Sequence, residues 1–298
     1  MTGNSIADMK KFSIKELESL SGIKAHTIRC WEERYSILKP ERNSANTRRY
    51  SIDELQKLLP LSLLNKNGYK ISHLSYLSLE ELSFKVAALP CNEDRQQRAI
   101  NELVIAMYQL NIEGFEAILV NCYLMWPVDV VVHSIIYPFL KKVCLLSQGK
   151  LLNEEHFVVT NIRTKLCASI ERIETKKNNG KSILLFLPDE RQLDLLLLYF
   201  HCLLKLEGWK VFYMGINVSL KNLQELFINI KPDYILSYFP KKHSFSFNDC
   251  SATMKTLLPN SKFLVINTDT SCSLQGSFEH IINVNSDDVY SYLSLSDY

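Results

Sequence analysis

Two short amphipathic helices joined through a single glycine open this chain, and that pairing limits its first part more than any other feature. Phe12-Ser13-Ile14-Lys15-Glu16-Leu17 has the form of a capping box, in which the Ser13 hydroxyl accepts from the Glu16 amide and the Glu16 carboxylate accepts from the Ser13 amide. Ile14, Leu17 and Leu20 recur at helical spacing, and Gly22 suits the left-handed turn that ends a helix. The second helix turns Ile28, Trp31 and Tyr35 inward and leaves Arg29, Glu33 and Arg34 nearer the outside. This is the pattern of a helix-turn-helix, which lays its second helix in the major groove of duplex DNA.

The text that follows is strongly cationic. Lys39-Pro40 breaks the second helix, Asn43-Ser44-Ala45-Asn46-Thr47 reads as a polar hairpin tip, and Arg48-Arg49-Tyr50 is the return strand. From Lys24 to Tyr50 there are seven bases (Lys24, Arg29, Arg34, Lys39, Arg42, Arg48, Arg49) against Glu32, Glu33 and Glu41. That excess of four is larger than the net charge of +2 on all 298 residues. A local cationic surface on a nearly neutral chain fits a polyanion, since phosphates supply most nucleic-acid affinity through counterion release. Charge alone fits a solvated basic face equally well.

The spacing of the whole stretch is more specific. Phe-Ser-Ile at 12–14, Ser21-Gly22-Ile23, Thr27-Ile28-Arg29, Trp31-Glu32, Leu38-Lys39-Pro40, Arg42 and Arg48-Arg49-Tyr50 together resemble the winged-helix head of the MerR family of transcriptional regulators. Trp31-Glu32-Glu33-Arg34-Tyr35 is closer to the light- and cobalamin-responsive repressors of that family than to its metal sensors. The resemblance implies that the second helix reads base edges while the hairpin wing lies along phosphates. The implied contacts are Lys24, Thr27, Arg29, Arg34, Arg42, Arg48, Arg49 and Tyr50, with packing an equal option for Tyr50 and the preferred one for Trp31.

Beyond the wing, Ser51-Ile52-Asp53-Glu54 predicts a capping box and a helix through Leu63 that Pro60 kinks or interrupts. Asn67-Gly68 marks a turn, and Ser78-Leu79-Glu80-Glu81 offers a further helix start. Periodicity fades over 83–98, which reads as a linker after a DNA-binding domain at 10–82. From 99 to 176 four helical stretches with short connections predict an antiparallel bundle. From 181 to 298 apolar strands alternate with amphipathic helices, the grammar of a parallel sheet covered on both faces. The fold class is therefore mainly α plus α/β: a winged helix-turn-helix, a four-helix bundle and a Rossmann-like sheet.

A bundle followed by such a sheet resembles the cobalamin-binding module of the carotenogenesis photoreceptor repressors. Tyr137-Pro138-Phe139-Leu140, Glu155-His156, Gly208-Trp209-Lys210-Val211, Leu220 and Lys231-Pro232-Asp233 carry that likeness. The positions that would hold the corrinoid have changed. Gln192 stands where the module has its cobalt-ligating histidine, and an amide oxygen is a poor cobalt ligand. Leu195 replaces the glycine past which the nucleotide tail runs. Ser237 keeps the serine of a Ser-x-Leu motif, Asn267-Thr268 replaces a Gly-Gly pair, and the capping tryptophan is Leu145 or Leu146. Glu155 and His156 are the remaining cap pair. No cofactor and no metal ligand set is expected, with base-off corrinoid binding as the alternative.

Two isolated histidines, His133 and His201, read as core or edge residues. Asp189 and Glu190 at a strand end lack any nucleophile, base partner or phosphate loop, so no enzymatic activity is expected. Eight scattered cysteines without a C-x-x-C pair, no long apolar span and no signal-peptide pattern point to a reduced cytoplasm and away from membranes. The expected protein is a regulator binding double-stranded promoter DNA as a homodimer or higher homo-oligomer, its C-terminal part serving oligomerisation or sensing an unknown small-molecule effector.

Overall fold

The computed structural model describes residues 11–146, 152–174, 179–188, 194–238, 247–266, 281–284 and 289–293. It divides into two compact units, 1–161 and 162–298. Among the described residues no helix is long and apolar enough to cross a membrane.

The first unit begins with α1 (Ile14–Ser21) and α2 (Ala25–Tyr35). The Ser13–Glu16 capping box forms in both directions, and Gly22 ends α1 at φ 74°, its amide donating to the Glu18 carbonyl at 2.8 Å. Strands β1 (Glu41–Arg42) and β2 (Arg48–Arg49) form an antiparallel wing, pairing Glu41 with Arg49 and Arg42 with Arg48. The backbones of Phe12 and Tyr50 exchange hydrogen bonds of 2.8 and 2.9 Å, tying the chain before α1 to the foot of the wing.

Next come α3 (Ile52–Lys66), α4 (Ile71–Leu74), α5 (Leu79–Ala87) and α6 (Asn92–Tyr108). Two expectations change here. Pro60 lies inside α3 without interrupting it. The stretch expected to be a linker at 83–98 is mostly helix, because α5 runs to Ala87 and α6 starts at Asn92. The acidic first turn of α6, with Glu93 and Asp94, suits the positive end of a helix. Asp94 is buried and accepts from Asn67 Nδ2 at 2.9 Å, so the start of α6 is fastened to the end of α3.

The bundle continues with α7 (Ile112–Met125) and α8 (Val128–Val130), then a wide-turn π stretch (Val131–Ile136) that leads into α9 (Tyr137–Leu146) and α10 (Leu152–Arg172). Phe115 is its aromatic centre, edge-on to Phe139 at 5.7 Å and to Phe157 at 5.2 Å.

In the second unit the described elements are β3 (Ser182–Phe186), α11 (Asp194–Leu206), β4 (Lys210–Gly215), α12 (Leu220–Asn229), β5 (Tyr234–Tyr238), α13 (Phe247–Leu257), β6 (Lys262–Ile266), β7 (Ile281–Val284) and α14 (Val289–Leu293), with strands and helices alternating from β3 to β6. All five strands are parallel, in the order β4-β3-β5-β6-β7, so the chain reverses direction across the sheet next to β3. Leu184, Phe186, Ile235 and Val265 on one face meet Leu223, Phe227 and Met254 of the covering helices in a dry core.

Candidate nucleic-acid interface

The exposed surface of α2 follows from its buried one. Ile28 is fully buried and Trp31 is 6% exposed, so they anchor the helix and turn His26, Arg29 and Glu33 outward at i, i+3 and i+7. Arg29 and Arg34 are exposed, and neither makes an ion pair among the described residues. Thr27 is half-buried beside them. His26 was not singled out from sequence; its place one turn before Arg29 on the outward stripe was the available signal.

The approach to α2 is built by Glu18. One carboxylate oxygen accepts from the Ala25 amide at 3.1 Å and the other lies 3.3 Å from Lys24 Nζ. The Ala25 amide first, and then Lys24, hold the Glu18 carboxyl below its ordinary value. Lys24 remains largely exposed, so it can exchange this partner for a phosphate at little cost.

The wing is shaped from its tip. Asn43 Oδ1 accepts from the amides of Ala45 at 3.1 Å and Thr47 at 2.8 Å, and Asn46 takes the left-handed conformation at φ 56°. Arg42 Nη1 donates to Asn46 Oδ1 at 2.8 Å, and Lys11 pairs with Glu41. Because side chains alternate along a strand, Arg42 and Arg48 share one face of the wing while Glu41 and Arg49 share the other. The two adjacent arginines therefore do not lie along one run of phosphates.

Arg48 faces α2. Its Nε donates to Glu32 Oε1 at 2.9 Å, while Tyr50 Oη donates to Glu32 Oε2 at 2.9 Å. Burial first, and then the Glu32 bond, raises the Tyr50 phenol well above its ordinary value. Tyr50 is 0% exposed, which removes it from the expected DNA contacts and makes it a packing residue. Glu54 shows a related departure. Ser51 caps α3 by accepting from the Glu54 amide, but the Glu54 carboxylate turns away to accept from the Lys39 amide at 3.0 Å. The reciprocal box expected at Ser51 is half formed, and the diverted carboxylate ties α3 to the break after α2.

The head also rests on the bundle. Phe12 meets Tyr108 of α6 edge-on at 4.8 Å, and Lys142 Nζ of α9 donates to the Leu20 carbonyl at 3.1 Å. Burial lowers the Lys142 ammonium to about 8.

In the second unit the corrinoid positions can be read in part. Gln192, Asn267 and Thr268 lie outside the described residues, while Glu155 and His156 are placed in α10 without description of their side chains. Leu195 is 4% exposed in the first turn of α11, its side chain built into the interior. Ser237 is fully buried, and among the described residues its Oγ has no hydrogen-bond partner. It shares a sheet face with Ile235, against the core that includes Phe186, Val265 and Met254. Among the described residues, Leu195 occupies the position where the resemblance implies a close-approach glycine, and apolar side chains pack beside β5. His201 is half-buried and stacks on Tyr213 at 5.3 Å, and burial first and then Lys205 lower it to about 4.

Residues 12–78 match the MerR HTH family regulatory proteins. The chain is 23% identical over 261 residues to the HTH-type transcriptional repressor CarH of Myxococcus xanthus, covering 84% of this chain and 86% of that protein. It is 25% identical over 234 residues to the HTH-type transcriptional repressor CarA of the same organism, covering 76% and 75%. The HTH-type transcriptional regulator TnrA of Bacillus subtilis is 30% identical over 71 residues, which is 24% of this chain and 64% of that one.

Proposed function

With residues 12–78 forming a MerR-type helix-turn-helix regulatory domain, we propose that this DNA-binding transcriptional regulator acts as a homodimer on a two-fold symmetric promoter site. In this reading α2 enters the major groove with His26 and Arg29 toward base edges. Arg34 and Lys24 engage phosphates, Arg42 and Arg49 do so from opposite faces of the wing, Thr27 sits beside the contacts, and Arg48 holds the wing in place through Glu32.

The observation that carries the reading is the outward stripe of α2. Its inner face is consumed by Ile28 and Trp31, while among the described residues Arg29 and Arg34 form no ion pair. Two exposed arginines on the outer side of α2, beside a basic hairpin, suit an anionic groove. No reaction is assigned to the chain. The second unit serves assembly or sensing in this reading, without cobalamin, and the inward-packed Leu195 and the apolar core beside Ser237 support that part of it.

One observation favours a second reading, in which a corrinoid binds base-off: the buried Ser237 hydroxyl lacks a partner that a ligand would supply. A visible spectrum of protein purified after growth with adenosylcobalamin separates the two. The first reading expects no corrinoid band, and a stoichiometric band contradicts it. For the head, selection of bound genomic fragments by purified protein is expected to return a shared near-palindrome.

A further inference from the structure

A cavity of about 280 Å³ opens in the first unit between α3, α5, α6 and α7. It lies close to the lower end of the sizes that hold small organic ligands. Its deep wall is apolar, formed by Leu59, Leu63 and Val86, all buried. Two features give it polar handles on facing helices.

The first is on α3. Pro60 lines the cavity inside the helix and has no N–H, so the carbonyl of Gln56, a lining residue one turn earlier, loses its helical donor. That leaves an acceptor beside an apolar wall. The second is on α6. Asn101 is 8% exposed and lines the same cavity. Its Oδ1 accepts from Gln97 Nε2 at 3.0 Å, and among the described residues nothing accepts from its own amide nitrogen. The amide nitrogen of this largely buried side chain is thus available as a donor to a ligand carbonyl or hydroxyl.

Charge selects among ligands. The charged side chains at the cavity are Arg98 and Glu102, and they satisfy each other, Arg98 Nε lying 2.7 Å from Glu102 Oε1. An ionic ligand would enter an apolar cavity with no counter-charge to meet it.

We propose that this cavity is an effector site for a small neutral molecule with an apolar ring body, one hydrogen-bond donor for the Gln56 carbonyl and one acceptor for Asn101. The cavity joins the DNA-binding head to the bundle. Its α3 wall continues from Tyr50 and, through Glu54, holds the backbone at Lys39. A ligand bridging α3 to α6 therefore fixes the wing relative to the bundle. That last consequence rests on the DNA-binding reading above, whereas the binding itself does not.

The test uses the full chain and two fluorescent probes sharing one ring system: neutral N-phenyl-1-naphthylamine and the anionic 8-anilinonaphthalene-1-sulfonate. The neutral probe is expected to saturate at one per chain, and the sulfonate to bind about tenfold or more weakly. Ser83→Trp, at an exposed position of the cavity rim, is expected to weaken the neutral probe about tenfold while far-UV circular dichroism and melting stay unchanged. Ile118→Trp fills the opposite side and is a second plug should the first disturb α5. Equal binding by both plugged variants, equal or tighter binding of the sulfonate, or no saturation would overturn the site. Binding of the neutral probe with unchanged affinity for a selected DNA fragment would uphold the site and overturn its coupling to the wing. A chain that binds the probe and no DNA would sink the DNA reading alone.

Discussion

Glu32 Oε1 accepts from Arg48 Nε at 2.9 Å, so a residue of α2 holds the wing in place. The pair is partly buried, with 15% of the Glu32 side chain and 26% of the Arg48 side chain exposed, and the second carboxylate oxygen is occupied by Tyr50. Each bond to a charged group contributes about 1.5–3 kcal/mol before coupling. Glu32→Ala is expected to lower stability by about 2–3 kcal/mol in urea denaturation, and to weaken binding to all DNA sequences as the wing loosens. Glu33→Ala, one residue on and exposed, is expected to leave stability within about 0.5 kcal/mol of the parent.

The opposite faces of the wing give Arg48 and Arg49 different signatures. Arg49→Ala is expected to reduce affinity uniformly across sequences and to lower the salt slope by about one, with no change in melting. Arg48→Ala is expected to lower melting as well, because Glu32 loses its partner. Tyr50→Phe costs about 1 kcal/mol of stability and leaves the salt slope unchanged, as a buried residue should. Fluorescence anisotropy over a salt series, beside thermal melts, distinguishes the three.

Capping chemistry and the alternation of strands with helices were legible because they are local. Ser13 with Glu16 and Ser78 with Glu81 form the boxes their spacing announces, and the apolar runs at 182–187, 234–238 and 263–266 lie in a parallel sheet. What escaped was set by distant partners. Glu54 leaves its box because the Lys39 amide comes within reach only in the folded chain. The start of α6 looked like linker because its first turn is polar, and its fixing contact, Asn67 to Asp94, spans two helices. Tyr50 carries a polar tip in a basic run, and only the bridge to Phe12 shows why it is buried.

Lys142 gives a pH signature. Its value of about 8 in the folded chain lies below 10.5 for a free lysine, since burial opposes the charge. Between those values the unfolded chain binds more protons, so stability rises with pH from about 8 to about 10.5. Below about 8 both states carry the charge, and its burial costs on the order of 3 kcal/mol, partly offset by the bond to Leu20. Lys142→Met is expected to flatten that rise and to be about 1–3 kcal/mol more stable at neutral pH. Urea denaturation at pH 7, 8, 9 and 10 checks both, and a destabilised variant at pH 7 would show that the Leu20 bond outweighs burial.

Ser237 tests the second unit. Its Oγ is buried without a partner among the described residues, so Ser237→Ala is expected to leave stability unchanged or raised by about 1 kcal/mol. A variant clearly less stable than the parent would show that the hydroxyl is satisfied by something the chain carries.

The most direct measurement is a titration of genome-selected duplex with the parent protein and with Arg29→Ala, by anisotropy at matched salt. If α2 reads base edges, the parent prefers the selected fragment over a scrambled one, and Arg29→Ala loses about 1–3 kcal/mol of that preference while its affinity for scrambled DNA changes little. Equal binding of both duplexes by the parent, or an unchanged preference in Arg29→Ala, would contradict the assignment of α2 as the reading helix.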